Sequence, residues 1–183
     1  MKIVATAYSA ALLLAFSGQT LVYAQSSGLV TLLGQANQMN NEEQDLAKQL
    51  RSKAGDNQAL ITMADTMRED HKANQSALEA LASQKHITLK SYEKNQNAQD
   101  QLDSLKGAKF NQAFLNMDIQ DHDNALASFH RAKRELGNDP DVRVYIDQTI
   151  PVLEAHLKMA QNLQHDDKLL GSRENAANNK RSE

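Results

Sequence analysis

A chain of 183 residues with 20 basic and 23 acidic side chains, a formal net charge of −3 and no cysteine or tryptophan can build one domain with a sizeable core. The lack of cysteine excludes disulfides, thiolate zinc sites, c-type haem attachment and a lipid anchor through cysteine, and the interspersed, nearly balanced charge gives no electrostatic case for nucleic acid. Few prolines, few glycines and an abundance of Ala, Leu, Gln, Asn, Asp and Lys are the composition of an all-α protein.

The first segment reads as a signal peptide over residues 1–24. Lys2 supplies a positive end, Ala10 to Phe16 an apolar core, and Val22-Tyr23-Ala24 small residues placed for cleavage after Ala24. The expected product is exported to the periplasm or secreted. No later run approaches the length of a membrane span.

A four-helix domain is then expected over residues 25–163. The first helix runs from about Ser27 to Lys53 on a stripe of Leu29, Leu32, Leu33, Ala36, Met39, Leu46, Ala47 and Leu50, with Glu43 inside the apolar arc and Glu42 outside it. Gly55-Asp56-Asn57 makes a turn, with Asp56 or Asn57 as N-cap. The second helix spans about Gln58 to Gln84 on Leu60, Met63, Ala64, Met67, Leu78 and Leu81; His71 is central in that stripe, Asn74 accompanies it and Asp70 borders it. Residues 85–106 form a crossover in which Ile87 and Leu89 tuck against the bundle and a short helix follows. Gly107 opens the third long helix, which extends to Leu136 with Phe110, Phe114, Met117, Leu126 and Phe129 inward; Asp118 and His122 share that face and Asp121 lies nearer its edge.

Gly137-Asn138-Asp139-Pro140 stops this helix and starts the last one, with Asp139 as N-cap and Pro140 at the first helical position. The last helix runs to about Leu163 on Val142, Tyr145, Ile146, Thr149, Leu153, Met159 and Ala160, with His156 central and a kink expected at Pro151. Residues 164–183 are polar, without periodicity, and are expected to be a disordered tail.

Each long helix thus carries one ionisable side chain where an apolar residue is expected: Glu43, His71, His122 and His156. Burying such groups is costly without partners. Counting outward from the two short turns at about 1.5 Å per residue brings Glu43 level with His71, and His122 level with His156. The crossover leaves the relative height of the two hairpins open. If they align, one carboxylate and three imidazoles meet in the core. That donor set suits a single zinc, copper or iron ion, with Asp70, Asn74, Asp118 and Asp121 orienting the ligands from behind.

Met67-Arg68-Glu69-Asp70-His71-Lys72-Ala73-Asn74, then Gly107 to Phe110 leading to Asp121-His122, then Thr149-Ile150-Pro151 leading to His156-Leu157 resemble a secreted bacterial four-helix domain of unknown function that is grouped with ferritin-like proteins. The resemblance spans about Leu29 to Leu163. It implies a ferritin-like antiparallel bundle with a crossover between its second and third helices, and export from the cytoplasm, but no activity. Members often carry an outer-membrane or periplasmic label, which these helices do not support as a membrane barrel. The di-iron pattern of ferritin-like proteins, Glu-x-x-His on two helices, is missing, because Arg68, Ile119 and Leu153 precede the three histidines at that spacing.

Two functions compete. One is a metal-binding bundle, in which Met39, Met63, Met67, Met117 or Met159 would favour copper if a sulfur reached the site; flexible core filling also explains them. The other is a structural or partner-binding protein of the cell envelope, monomeric or a homo-oligomer, whose polar layer only sets helix register. Haem held by a Met and a His would need more aromatics than are present. No nucleophile elbow, phosphate loop or dinucleotide fingerprint argues for an enzyme.

Overall fold

The computed structural model describes residues 17–94 and 96–179. Residues 1–16, and with them most of the expected signal peptide, lie outside that range. The elements are α1 (Ser17–Lys53), α2 (Gln58–Gln84), α3 (Gln96–Asp103), α4 (Gly107–Leu136) and α5 (Pro140–Asn179), and no strand occurs among the described residues. No helix among them is long and apolar enough to cross a membrane.

Both tight turns follow from local chemistry. Gly55 takes the left-handed φ of 56° that reverses the chain after α1. Asn57 then accepts hydrogen bonds from the Ala59 and Leu60 amides at 3.1 and 3.2 Å, which makes it the N-cap of α2. Between α4 and α5 the Asp139 carboxylate accepts from the amides of Asp141 and Val142. Lys85, just past the end of α2, pairs with Asp139 and Asp141 and so pins the end of one hairpin to the start of the last helix. Replacing Asp139 with Ala removes the cap and one anchor of Lys85. We expect a loss of about 1 kcal/mol in unfolding free energy with an unchanged denaturant slope.

The segment between α2 and α4 spans the length of the bundle. It runs alongside α1 in the same direction: Asn37 donates to the Lys90 carbonyl, Gln49 to Asp103, and Lys53 to the Leu102 carbonyl at 2.9, 2.7 and 2.8 Å. The chain therefore enters α4 at the end where α1 finishes. α1 packs on α2 and α4, and α5 packs on the same two, so the long helices form a ring of antiparallel neighbours with α2 and α4 on one diagonal. Ile87 and Leu89 pack against the bundle core as expected.

The core is divided in two. One apolar cluster holds Leu33, Leu78, Phe129 and Ile146, the other Leu50, Met63, Phe110 and Phe114. Burial of such side chains contributes roughly 1.5–3 kcal/mol each before entropy is counted. Every long helix passes from one cluster to the other, and at the crossing level each buries polar groups instead: Asn40 and Glu43, His71, Asp118 and His122, and His156.

Two boundaries differ from the sequence reading. α1 already includes Ser17, the first described residue, rather than beginning at Ser27, and α5 continues past Leu163 to Asn179 rather than giving way to a disordered tail at residue 164. The polar composition of 164–179 removes the apolar stripe that marks a packed helix. It does not remove the capacity to form one, because no proline interrupts a run containing Lys168, Leu169, Leu170, Arg173, Glu174 and Ala176. Pro151 sits within α5, which continues through it.

Candidate metal centre

The three imidazoles of the layer form one cluster. Ring centroids are 5.1 Å apart for His71–His156, 5.4 Å for His122–His156 and 5.8 Å for His71–His122. A ligand nitrogen from each lies within 4.8 Å of those of the other two, and all three residues are buried. The two hairpins therefore align in height.

Each ring is held from outside by a hydrogen bond to an acceptor. His71 Nδ1 lies 3.1 Å from Asn40 Oδ1. Asn40 turns its oxygen that way because its amide nitrogen donates to Asn74 Oδ1 at 2.9 Å, which also accepts from the Tyr145 hydroxyl. Asn74 in turn donates to Thr149. His122 Nδ1 lies 2.9 Å from the Asp118 backbone carbonyl one turn earlier, and His156 Nε2 lies 3.0 Å from Asp70 Oδ2. A carbonyl or carboxylate only accepts, so each of these ring nitrogens carries the hydrogen. The remaining nitrogens, His71 Nε2, His122 Nε2 and His156 Nδ1, keep their lone pairs. All three are buried and without a partner.

Glu43 from α1 and Asp118 from α4 complete the layer, and a ligand atom from each, with one from His122, lies within 4.8 Å of the others. Glu43 Oε2 and both Asp118 carboxylate oxygens are also buried without a partner. Of the partnerless buried side-chain atoms among the described residues, only Gln49 Oε1 lies outside these five residues. Leaving a buried polar atom unpaired costs roughly 1–3 kcal/mol. Three imidazole lone pairs and two carboxyl groups facing one another without partners form a hole whose chemical complement is a cation, taken up as the carboxyls release their protons.

Burial disfavours charge on every member. It raises Glu43 well above the usual carboxylate range, reinforced by Asp118, Asp121 and Glu42, and it raises Asp118 to about 8, reinforced by Asp121. It lowers His71 well below the usual imidazole value, with His156 and His122 adding to the effect, and lowers His122 to about 4. His156 is lowered by burial against the opposing pull of Asp70. His122 Nδ1 and Asp118 Oδ2 approach to 3.6 Å, but an imidazole neutral at pH 7 and a carboxyl raised to about 8 do not form an ion pair there. The layer is built from neutral imidazoles, the protonation state that binds metals.

The structure brings His71, His122 and His156 together, and Glu43 meets this cluster at His122. Asp70 supports an imidazole directly, while Asn74 acts at one remove through Asn40. Asp118 is not behind the ligands: its backbone carbonyl orients His122, and its carboxylate faces the layer beside Glu43. Asp121 makes no hydrogen bond or ion pair with an imidazole among the described residues. It is exposed and lines a groove between α1 and α4. Asn40 is the residue that sequence reasoning passed over, although its place on the stripe between Ala36 and Glu43 marked it as a buried polar group. Met63 and Met67 sit in the apolar cluster, whereas Met39 and Met117 line the groove that reaches Glu43.

Residues 15–163 match the family described as Domain of unknown function (DUF4142). No curated protein and no solved structure matches the chain.

Proposed function

The chain belongs to the DUF4142 family, and since that membership assigns no activity, we propose from the buried layer that it is an exported bundle binding one transition-metal ion through His71, His122 and His156. The carrying observation is that each imidazole is fixed by an outward hydrogen bond and turns a partnerless lone pair inward. An outer acceptor that sets tautomer and ring angle is the usual support of a metal-binding histidine. Glu43 or Asp118 supplies the oxygen that completes a four-coordinate set. His122 belongs to both buried triads but has one free nitrogen, so the triads describe one ion rather than two. Imidazole with carboxylate selects zinc, copper or iron over magnesium or calcium. The ring of antiparallel helices and the connection along the bundle length support a ferritin-like arrangement, and the Lys2, Ala10–Phe16 and Val22–Ala24 pattern supports export.

The intact chain, purified without a polyhistidine tag, should carry or take up about one such ion per chain by elemental mass spectrometry and calorimetric titration. Uptake at background for zinc, copper and iron refutes the reading. Asp70→Ala and Asn40→Leu leave all five inward groups in place but release His156 and His71 from their outer partners. We expect each to weaken affinity by about 10–100-fold, measured by competition with a chelator.

One observation favours a metal-free role. Carboxyls raised as far as Glu43 and Asp118 can remain protonated and neutral in the core, so the layer can serve as a register device separating two apolar clusters. On that reading apolar replacements cost no ligand binding.

A further inference from the structure

We infer that the groove between α1 and α4 is the route by which the metal cation reaches the buried layer, with Glu42 and Asp121 as an outer capture pair that hands the ion to Glu43. This rests on the metal-binding reading and specifies its path. The groove has a volume of about 660 Å³ and is lined by Met39, Glu42, Glu43, Met117, Asp121 and Asn124 among others. Glu43 is the layer residue that faces it. That side chain is only 3 % exposed, and its Oε2 has no partner, so the groove ends on a buried, unsatisfied carboxylate.

The two helices present the same arrangement from opposite sides. On α1 an outer carboxylate, Glu42, immediately precedes the buried Glu43; on α4 the exposed Asp121 immediately precedes the buried His122. Successive helical residues differ by about 100° in direction, so each pair sets one group toward the mouth and one toward the core. The charges of Asp121 and Glu42 both act on Glu43, and that of Glu42 acts on Asp121. No basic side chain lines the groove, and neither Glu42 nor Asp121 takes part in an ion pair among the described residues. The remaining wall is uncharged, apolar at Leu32, Ala36, Ala125 and Phe129 and polar at Gln35 and Ser128. Charge of one sign between low-dielectric walls focuses the field and raises cation encounter rates by 10-fold or more.

The test is the rate of zinc uptake by the full chain, followed in a stopped-flow instrument with a chromophoric chelator reporting free ion, at low and high salt. Glu42→Gln combined with Asp121→Asn should slow association about 10-fold at low salt and flatten its salt dependence. The zinc content at saturation should stay at that of the wild type. Glu42→Gln alone, a surface change that keeps side-chain size, should show an intermediate rate. Wild-type uptake with no change of rate in the double variant overturns the route while leaving the binding site standing. A wild-type chain that takes up no zinc, copper or iron overturns both.

Discussion

Replacing His122 or His156 with leucine should abolish metal uptake and leave the bundle folded. Each substitution removes one of the three inward lone pairs that the rings bring together at centroid distances of 5.1–5.8 Å, and the two carboxyls that would have to compensate are held protonated by burial. Binding should fall below detection in either variant, a loss much larger than the 10–100-fold expected when an outer partner is removed. Folding should survive because neither change strands a new buried group. His122→Leu releases only the Asp118 backbone carbonyl, a mid-helix acceptor of α4. His156→Leu releases Asp70, whose side chain is 44 % exposed and can be hydrated. Leucine also replaces a buried nitrogen that has no partner with atoms that need none, so the metal-stripped variants should match or exceed the stripped wild type in chemical denaturation. Undiminished binding in both variants would remove these imidazoles from the site.

The metal-stripped protein should lose stability as the pH rises from about 6.5 to about 8. In the folded chain Asp118 is raised from 3.8 to about 8 and Glu43 is raised well above 4.5, both chiefly by burial. Groups raised on folding hold protons that the unfolded chain releases. Their contribution is complete below the unfolded values and declines as pH climbs through the folded ones. The histidines act in the other direction. His122 falls from 6.5 to about 4, and His71 and His156 are also lowered, so their contribution is complete above 6.5 and is lost as pH drops through the folded values. Between about 4 and 6.5 the slopes oppose each other, and above 6.5 the carboxyls act alone. Asp118 by itself accounts for about 2 kcal/mol across that interval, or roughly 5 °C in Tm. Asp118→Asn, neutral at every pH, should remove the Asp118 share of the decline and reduce that of Glu43, which the Asp118 charge helps to raise. Saturating metal should reverse it, because the ion binds the deprotonated groups and its affinity rises with pH. A stripped protein whose Tm climbs over the same interval would show that the carboxyls ionise freely, and that burial does not hold their protons in the layer.

Helical class, the four stripes and the two hairpins follow from chain-local pattern, because an amphipathic helix and a capped tight turn need information from only a few neighbouring residues. Asn57 and Asp139 cap where their types and positions suggest. The matching of His122 with His156 follows from the constant rise of a helix on either side of a short turn, whereas the α1 residue that meets His71 is Asn40, one turn before Glu43. The ends of the helices were less legible. A helix keeps its backbone hydrogen bonds without an apolar stripe, so composition alone does not mark the length of α5 beyond Leu163.

What lay beyond local reading was the height of one hairpin relative to the other. Residues 85–106 have no periodicity to count along. Their course is set by tertiary hydrogen bonds, from Asn37 to Lys90 near the middle of α1 to Lys53 with Leu102 at its end. The same holds for the finer roles in the layer. The position of Asp118 one turn from His122 permits either its carbonyl or its carboxylate to meet the ring, and only the packed helices put the carbonyl on Nδ1 and leave the carboxylate beside Glu43. Asn40 became a support for His71 because Asn74 and Tyr145, on two other helices, use up the donors and acceptors around it. The amino-acid sequence alone determined which residue types stand on each buried face, since that is a matter of helical period. Tertiary packing decided which of their atoms are left facing one another without a partner, since an unpaired lone pair is defined only by everything that surrounds it.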